Sequence, residues 1–155
     1  MNQHSISALV LIPLCALLCA CESTGGKQPD AATVAKLSAS RSDKATVVVY
    51  RPRNSLGGLL SPTVQVDGKS LVDIDNGRVF VGVISPGHHV FQIENQNSGT
   101  EVTLKSGSKI YLKVEIEPGM WKGRGKLTQV APEQGEFEAK RLKLISAEQI
   151  APTYR

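Results

Sequence analysis

Short apolar segments separated by turn sequences run through the chain from residue 45 onward. The clearest segment spans residues 109–117, in which Ile110, Leu112, Val114 and Ile116 alternate with Tyr and charged residues. Because successive side chains of a strand point to opposite faces, this spacing predicts a strand with one buried face and one wet face.

Turn signals divide the other apolar segments into further strands. Asp67-Gly68 and Asn76-Gly77 are typical of tight hairpin turns, and Pro86-Gly87 marks another turn. The predicted strands are residues 45–51, 63–67, 71–74, 78–84, 90–94, 101–105, 109–117 and 126–130. About eight short strands predict an all-β fold, an antiparallel β-sandwich.

One short helix is predicted towards the C-terminus, over residues 133–142. Its apolar residues Phe137, Ala139 and Leu142 are expected to cover the sheet. No segment after residue 45 shows the alternation of strands and helices that a doubly wound or barrel α/β fold requires.

The N-terminal pattern is different, because residues 6–20 are an apolar run without a charged residue. A membrane-spanning helix needs about 20 apolar residues, and this run is shorter and contains Pro13. Its length predicts a signal peptide, although residues 1–5 lack the Lys or Arg that usually precedes such a run. The alternative is a buried helix of the folded domain.

The tetrapeptide Leu18-Cys19-Ala20-Cys21 resembles a bacterial lipobox. The resemblance implies cleavage before Cys21 and attachment of diacylglycerol to its sulfur. Leu precedes both Cys15 and Cys19 and is too bulky for the position before cleavage. A lipid anchor on Cys21 places the protein in the bacterial envelope. Asp directly after the lipidated cysteine favours retention in the inner membrane, and this chain has Glu22 there. We therefore expect the periplasmic face of the outer membrane as the location.

Residues 22–44 are rich in Gly, Ser, Ala and Thr and poor in large apolar side chains. Such a segment buries too little surface to offset its ordering entropy, so it predicts a disordered, flexible tether. A helix over residues 31–37 with Asp30 as its N-cap is the alternative. The predicted organisation is therefore a signal peptide at 1–20, a lipidated tether at 21–44 and a β-sandwich domain at 45–150.

Composition restricts the chemistry of the domain. No Cys follows Cys21, so the domain contains neither a disulfide nor a Cys-ligated zinc site. The net charge is +4, and no basic run is interleaved with aromatic residues, so nucleic-acid binding is not predicted. Aromatic residues are only 5% of the chain, which leaves the core to Val, Ile and Leu.

Five segments together resemble a family of bacterial lipoproteins, the domain of unknown function 2846. They are ATVVVYRPRN, SPTVQVDGKSLVDIDNG, VISPGHHVFQI, GSKIYLKVEIEPG and WKGRGKLTQV, and they lie between Ala45 and Val130. The VDG, NG and PGHH portions also look like the PEGA type of β-sandwich module, as a weaker match. Both resemblances imply a β fold, and neither supplies a catalytic residue.

Candidate catalytic groups are few. His88 and His89 are adjacent, so in a strand they point to opposite faces and cannot easily share a metal. Asp67, Asp73 and Asp75 lie near turns, and none has a second acid placed for acid–base work. No nucleophile or phosphate-binding motif occurs, so no enzyme, metal or cofactor is predicted.

The segment from Gly119 to Lys126 is the candidate contact loop. It holds Trp121, Lys122 and Arg124 among glycines, and Trp and Arg side chains stack well on sugars, bases or headgroups. The alternative is a structural connection whose Trp packs at the sandwich edge. The sequence thus predicts a membrane-anchored module that binds an envelope protein or cell-wall partner, with an envelope enzyme or a purely structural lipoprotein as alternatives.

Overall fold

The structure is a computed structural model that describes residues 29–39, 41–96, 99–118 and 124–155. These residues form two facing β-sheets and two helices. The predicted all-β sandwich with a short helix towards the C-terminus is therefore confirmed. No helix of the described ranges has both the length and the hydropathy to cross a bilayer.

The elements are numbered in chain order. The strands are β1 (Ala45–Arg51), β2 (Thr63–Val66), β3 (Lys69–Asp73), β4 (Arg78–Ile84), β5 (Gly87–Ile93), β6 (Gly99–Leu104), β7 (Lys109–Glu117), β8 (Arg124–Val130) and β9 (Lys143–Leu144). The helices are α1 (Ala31–Ser38) and α2 (Pro132–Ala139). Two single 3₁₀ turns follow, Ala147–Gln149 and Pro152–Tyr154.

One sheet has the strand order β8-β7-β1-β4-β9 and the other β3-β2-β5-β6. The four-stranded sheet is antiparallel, whereas β1 pairs in parallel with β7 and β4 pairs in parallel with β9. The larger sheet is thus mixed, although the sequence predicted only antiparallel pairs. All seven residues of β1 are buried, as is typical of an interior strand that is covered on both faces.

The main core lies between the sheets. It contains alternate residues of β1 and β7 together with residues of both sheets, and it includes Val47, Val49, Val64, Leu71, Phe80, Phe91, Leu112 and Val114. The C-terminal segment closes one side of it: Ile150 bridges to Val72, the Ala151 amide donates to the Leu71 carbonyl, and Tyr154 contacts the core. The domain therefore continues past residue 150, where the sequence placed its end.

A second core covers the other face of the larger sheet. Its members are Leu37, Val48, Tyr50, Val79, Val81, Tyr111, Ala139 and Leu142. The predicted wet face of β7 is wrong at Tyr111, which is buried beneath α2. The expected burial of Phe137 is also wrong, because α2 turns its small residues Gly135 and Ala139 inward and leaves Phe137 57% exposed.

Helix α1 lies inside the segment that the sequence assigned to the flexible tether. The Asp30 side chain caps it by accepting from the Thr33 amide at 3.0 Å, and the Thr33 hydroxyl donates to the Leu142 carbonyl at 2.7 Å. Leu37 is buried in the second core. The tether interpretation is therefore corrected for residues 31–38, where the alternative helix forms. Residues 1–28 lie outside the described part of the chain.

The two ends of the sandwich have different connections. The turn end carries the short links at residues 67–68, 85–86 and 105–108. The loop end carries the long link at residues 52–62, together with the link at residues 74–77 and the segment 94–96.

Candidate functional site

The link between β1 and β2, residues 52–62, is called the leucine loop below. The buried guanidinium of Arg51 holds its backbone from the inside. Nη2 donates to the Gly57 carbonyl at 2.7 Å, and Nη1 donates to the carbonyls of Leu60 and, at 3.4 Å, Ile74. Burial lowers the pKa of the Arg51 guanidinium, yet an arginine remains charged at neutral pH. The loop carbonyls thus solvate a buried cation.

Two further contacts fix the loop. The Asn54 amide donates to Asn76 Oδ1 at 2.9 Å, and Asn76 Nδ2 donates back to the Asn54 carbonyl at 2.8 Å. Gly57 adopts φ +66° and lies so close to β7 that a Cβ there would stand 2.8 Å from Ile116 Cγ2. Only glycine meets both the backbone and the space requirement at this position.

The outer surface of this fixed loop carries large apolar side chains among exposed polar residues. Leu59 is fully exposed, and Leu56 and Leu60 are 45% and 42% exposed. Three of the six exposed large apolar residues of the described ranges thus lie in one loop. Exposed apolar side chains that cluster in this way are typical of interaction surfaces.

A groove of about 460 Å³ opens beside the leucine loop. Leu60, Ser61 and Thr63 line one side, and Glu94, Arg124 and Gly125 line others. Volumes of this size are in the range that accommodates small ligands. The groove therefore brings the leucine loop next to the start of β8.

The Asp75 carboxylate accepts from Ser61, a residue that lines the groove. The Ser61 hydroxyl donates to Asp75 Oδ1, and Gln149 Nε2 donates to Asp75 Oδ2 at 2.7 Å. The hydrogen bond from Ser61, followed by that from Gln149, lowers the pKa of the Asp75 carboxyl. A carboxylate whose charged form is stabilised in this way is a weak base.

The predicted contact residues are only partly described. Arg124 is exposed at the first residue of β8 and lines the groove. Trp121 and Lys122 lie outside the described residues, as does the lipidation residue Cys21. The structure thus places one member of the predicted loop beside the groove.

At the turn end, His89 lies between two acceptors. Its Nδ1 is 2.7 Å from Asp67 Oδ2, and its Nε2 is 2.9 Å from the Ser85 carbonyl. Asp67 Oδ1 also accepts from the Val90 amide at 2.9 Å, and this bond is the main cause that lowers the pKa of Asp67. Asp67 adopts φ +51° in the turn, as its predicted turn role requires.

The other predicted acids and histidine have separate partners. His88 Nε2 lies 3.6 Å from Glu101 Oε2 at the surface, and Asp73 Oδ1 accepts from the Thr63 hydroxyl at 2.6 Å. Within the described ranges, no three His, Cys, Asp or Glu side chains lie together as a metal site would need. These side chains fix turns and strand ends.

Sequence reasoning missed the leucine loop and its buried support. The segment RNSLGGLLSP predicts an irregular loop because of its glycines and Pro62. Its three leucines were the available signal, since a solvated loop seldom carries several large apolar residues. The role of Arg51 has no local signal, because its acceptors lie 6 to 23 residues away in the chain.

Comparison with known proteins adds a family but no activity. The sequence model of a family described as "Protein of unknown function (DUF2846)" matches residues 41–125. The match spans β1 to β7 and the first two residues of β8, which is more than half of the chain. No curated protein matches the sequence. The resemblance to the PEGA module stays a prediction.

Proposed function

This chain belongs to the DUF2846 family of proteins of unknown function, and we propose that it is a lipoprotein of the bacterial envelope. In this proposal Cys21 carries the lipid anchor, and the β-sandwich is a binding module without catalytic activity. The partner is an envelope protein or a component of the cell wall.

The observation that carries the proposal is the lipobox-like sequence at Leu18–Cys21, directly after the uncharged apolar run. Acyl chains on Cys21 bind a bilayer in proportion to their buried methylene groups, and two or more chains anchor stably. The residue after Cys21 is Glu22, which favours the outer membrane as the location in bacteria that sort lipoproteins by this position.

Metabolic labelling with an alkyne fatty acid tests the anchor. We expect wild-type protein and Cys19→Ala to incorporate the label and Cys21→Ala to lose it. Cys19→Ala is the matched control because it removes a neighbouring thiol and keeps the proposed acceptor. A labelled Cys21→Ala protein, or an unlabelled wild type with its initiator end intact by mass spectrometry, would contradict the proposal.

The binding role is supported by the groove, which lies between the fixed leucine loop and Arg124. Arg124 is exposed there, and guanidinium groups recognise carboxylates and phosphates through paired donors. Cross-linking in intact envelopes, followed by purification of the acylated protein, should recover a saturable partner. We expect Arg124→Ala and Trp121→Ala to reduce that recovery, and an equal recovery with both variants folded would exclude this surface.

The volume of the groove supports a second candidate, an enzyme that acts on envelope glycans or lipids. Glu94 is a carboxylate on its lining. Acylated protein incubated with purified cell wall or phospholipid would then release products detectable by mass spectrometry. The absence of products with the folded wild type would eliminate this candidate, whereas products that Glu94→Gln no longer releases would support it.

A further inference from the structure

The described chain joins the domain at the same end as the leucine loop. The Asp30 amide donates to the Lys140 carbonyl at 2.8 Å, close to β9. Lys143 of β9 is opposite Arg78, and Arg78 is opposite Arg51, which holds the leucine loop. These register pairs place the start of α1 and the leucine loop at the loop end.

The opposite end of α1 confirms this direction. The carbonyl of Leu37, the penultimate residue of α1, accepts from Lys109 Nζ. Lys109 is opposite Thr46 near the start of β1, at the turn end. Helix α1 therefore runs from the loop end towards the turn end, and the described chain begins at the loop end.

The length of chain before α1 limits the distance to the anchor. Eight residues, 22–29, separate Cys21 from Asp30. Nine consecutive Cα steps reach at most about 32 Å in any conformation. A lipid on Cys21 would thus hold the loop end near the bilayer at a local concentration on the order of millimolar, so that even a weak contact is occupied.

The leucine loop is suited to such a contact. Its backbone is already fixed by Arg51 and Asn76, so its association with a bilayer loses little conformational entropy. Leu59 is the most exposed side chain of the loop, and Leu56 and Leu60 are partly exposed in the same loop. The charges of this end are mixed, since Arg53, Arg124 and Glu94 are all exposed there. Apolar insertion rather than net charge would therefore dominate.

We propose that the leucine loop inserts its leucine side chains into the surface of the bilayer that holds the Cys21 anchor. This proposal rests on the proposed lipidation. The loop end then lies on the membrane, and the turn end points away from it. The groove opens at the level of the lipid headgroups, so a partner bound there is reached at the membrane surface.

Site-directed nitroxide labels on the acylated protein test the orientation. The chain after Cys21 contains no other cysteine, so Leu59→Cys and Ser106→Cys each add one free thiol to the lipidated protein. Both sites are exposed, and Ser106 lies in a link of the turn end. The labelled proteins are reconstituted into vesicles of phosphatidylethanolamine and phosphatidylglycerol.

We expect oxygen to relax the label at residue 59 more than a water-soluble nickel chelate does, and the reverse at residue 106. Adding Leu56→Ser and Leu60→Ser should lower the preference for oxygen at residue 59. An aqueous label at residue 59 in protein that floats with the vesicles would overturn the insertion and leave the lipid anchor intact.

Two other outcomes have distinct meanings. Protein that carries no acyl group and fails to float would overturn the anchor and with it this inference. A residue 59 that stays aqueous on vesicles and becomes protected only in native envelopes, with cross-links to a protein, would replace the lipid surface with a protein partner.

Discussion

The two ends of the sandwich use their polar groups differently. At the turn end, polar side chains at the surface pair with one another and with backbone groups of the neighbouring turn. Asp67 accepts from the Val90 amide and lies against His89. At the loop end, a buried guanidinium supports a loop of residues 52–62 from the adjoining strand. The turn end therefore presents polar side chains at its surface, whereas the leucine loop presents Leu56, Leu59 and Leu60.

This difference separates stabilising from functional features. A buried charge costs free energy unless its donors are matched, and hydrogen bonds to charged groups recover about 1.5–3 kcal/mol each. Arg51 meets that condition only by holding the leucine loop in one conformation. Leu59 is fully exposed and buries no apolar surface in the fold. We therefore expect the loop end to be the surface that makes an external contact.

The largest effect should follow from Arg51→Met, which keeps the apolar stem and removes the guanidinium. The carbonyls of Gly57 and Leu60 lose their donors, and we expect about 3 kcal/mol less stability in urea unfolding. The leucine loop should also become sensitive to protease in the folded protein, because its backbone is no longer held.

Arg78→Met is the matched control for that experiment. Arg78 is opposite Arg51 in the sheet and is half-buried, and within the described ranges its guanidinium donates to the Leu144 carbonyl alone, at 3.3 Å. Its loss should cost about 1 kcal/mol and leave the loop protected. Equal losses in the two variants would mean that Arg51 has no special role at the loop end.

The second prediction compares one glycine from each end. Gly57 and Gly68 have similar backbone angles, with φ +66° and +74°. An added Cβ meets Ile116 at residue 57 and nothing within 4 Å at residue 68. We expect Gly68→Ala to cost about 1 kcal/mol from backbone strain, and Gly57→Ala about 2–3 kcal/mol from strain and overpacking. Thermal and urea unfolding of both variants would measure the difference between their free energies of unfolding. Equal losses of stability would mean that the leucine loop does not pack closely against β7.

The sequence predicted the strands and short turns better than the leucine loop and the pairing of the strands. The bounds of β1, β4 and β7 agree with the structure, and the Asp67-Gly68 turn forms where its residues indicate. Alternation and turn chemistry are local properties, so they are readable in the sequence. The parallel pairing of β1 with β7 joins segments about 60 residues apart, and no local pattern encodes it.

The errors on the helical side have one physical origin. The sequence predicted that Tyr111 is exposed and that Phe137 is buried, whereas in the structure Tyr111 is buried and Phe137 is exposed. A Cβ at Gly135 would clash with the Tyr111 ring, so the close approach of α2 depends on this glycine. Helix α1 was only the alternative to a flexible tether in the sequence for a related reason, because its stability comes from covering the outer face of the sheet.

The third prediction uses pH at the turn end. The hydrogen bond from Val90, followed by the contact with His89, holds the pKa of Asp67 below its usual 3.8. A carboxyl with a depressed pKa stabilises the fold above 3.8, and this contribution disappears as pH falls through the lower, folded-state pKa. Asp67→Asn should thus be less stable than wild type at pH 7, and equally stable below that lower value.

We expect that difference to be under about 1 kcal/mol, because the side chain is half exposed and solvent screens it. Asp73→Asn is the control, since Asp73 accepts from Thr63 and not from a histidine or a backbone amide. The measurement is urea unfolding of wild type, Asp67→Asn and Asp73→Asn from pH 7 down to a pH below the folded-state pKa of Asp67. A difference that persists in acid would show that Asp67 acts through turn geometry and not through its charge.

The smallest effect on stability should come from Leu59→Ser, and this is the prediction that most sharply separates the two ends. Leu59 is fully exposed, so its removal leaves no cavity and buries no polar group, and we expect a change within about 0.5 kcal/mol. Leu71→Ser is the contrast, because Leu71 is fully buried and its loss should cost about 3 kcal/mol or more.

A stability that is unchanged by Leu59→Ser would mean that the folded domain does not need this leucine. The residue would then be retained for a contact outside the domain, and the vesicle experiment at residue 59 would identify that contact. If Leu59→Ser instead lowers stability by 1 kcal/mol or more in urea unfolding, the leucine supports the loop itself. The distinction between a polar end built for stability and an apolar end built for contact would then fail, because both ends would serve the fold.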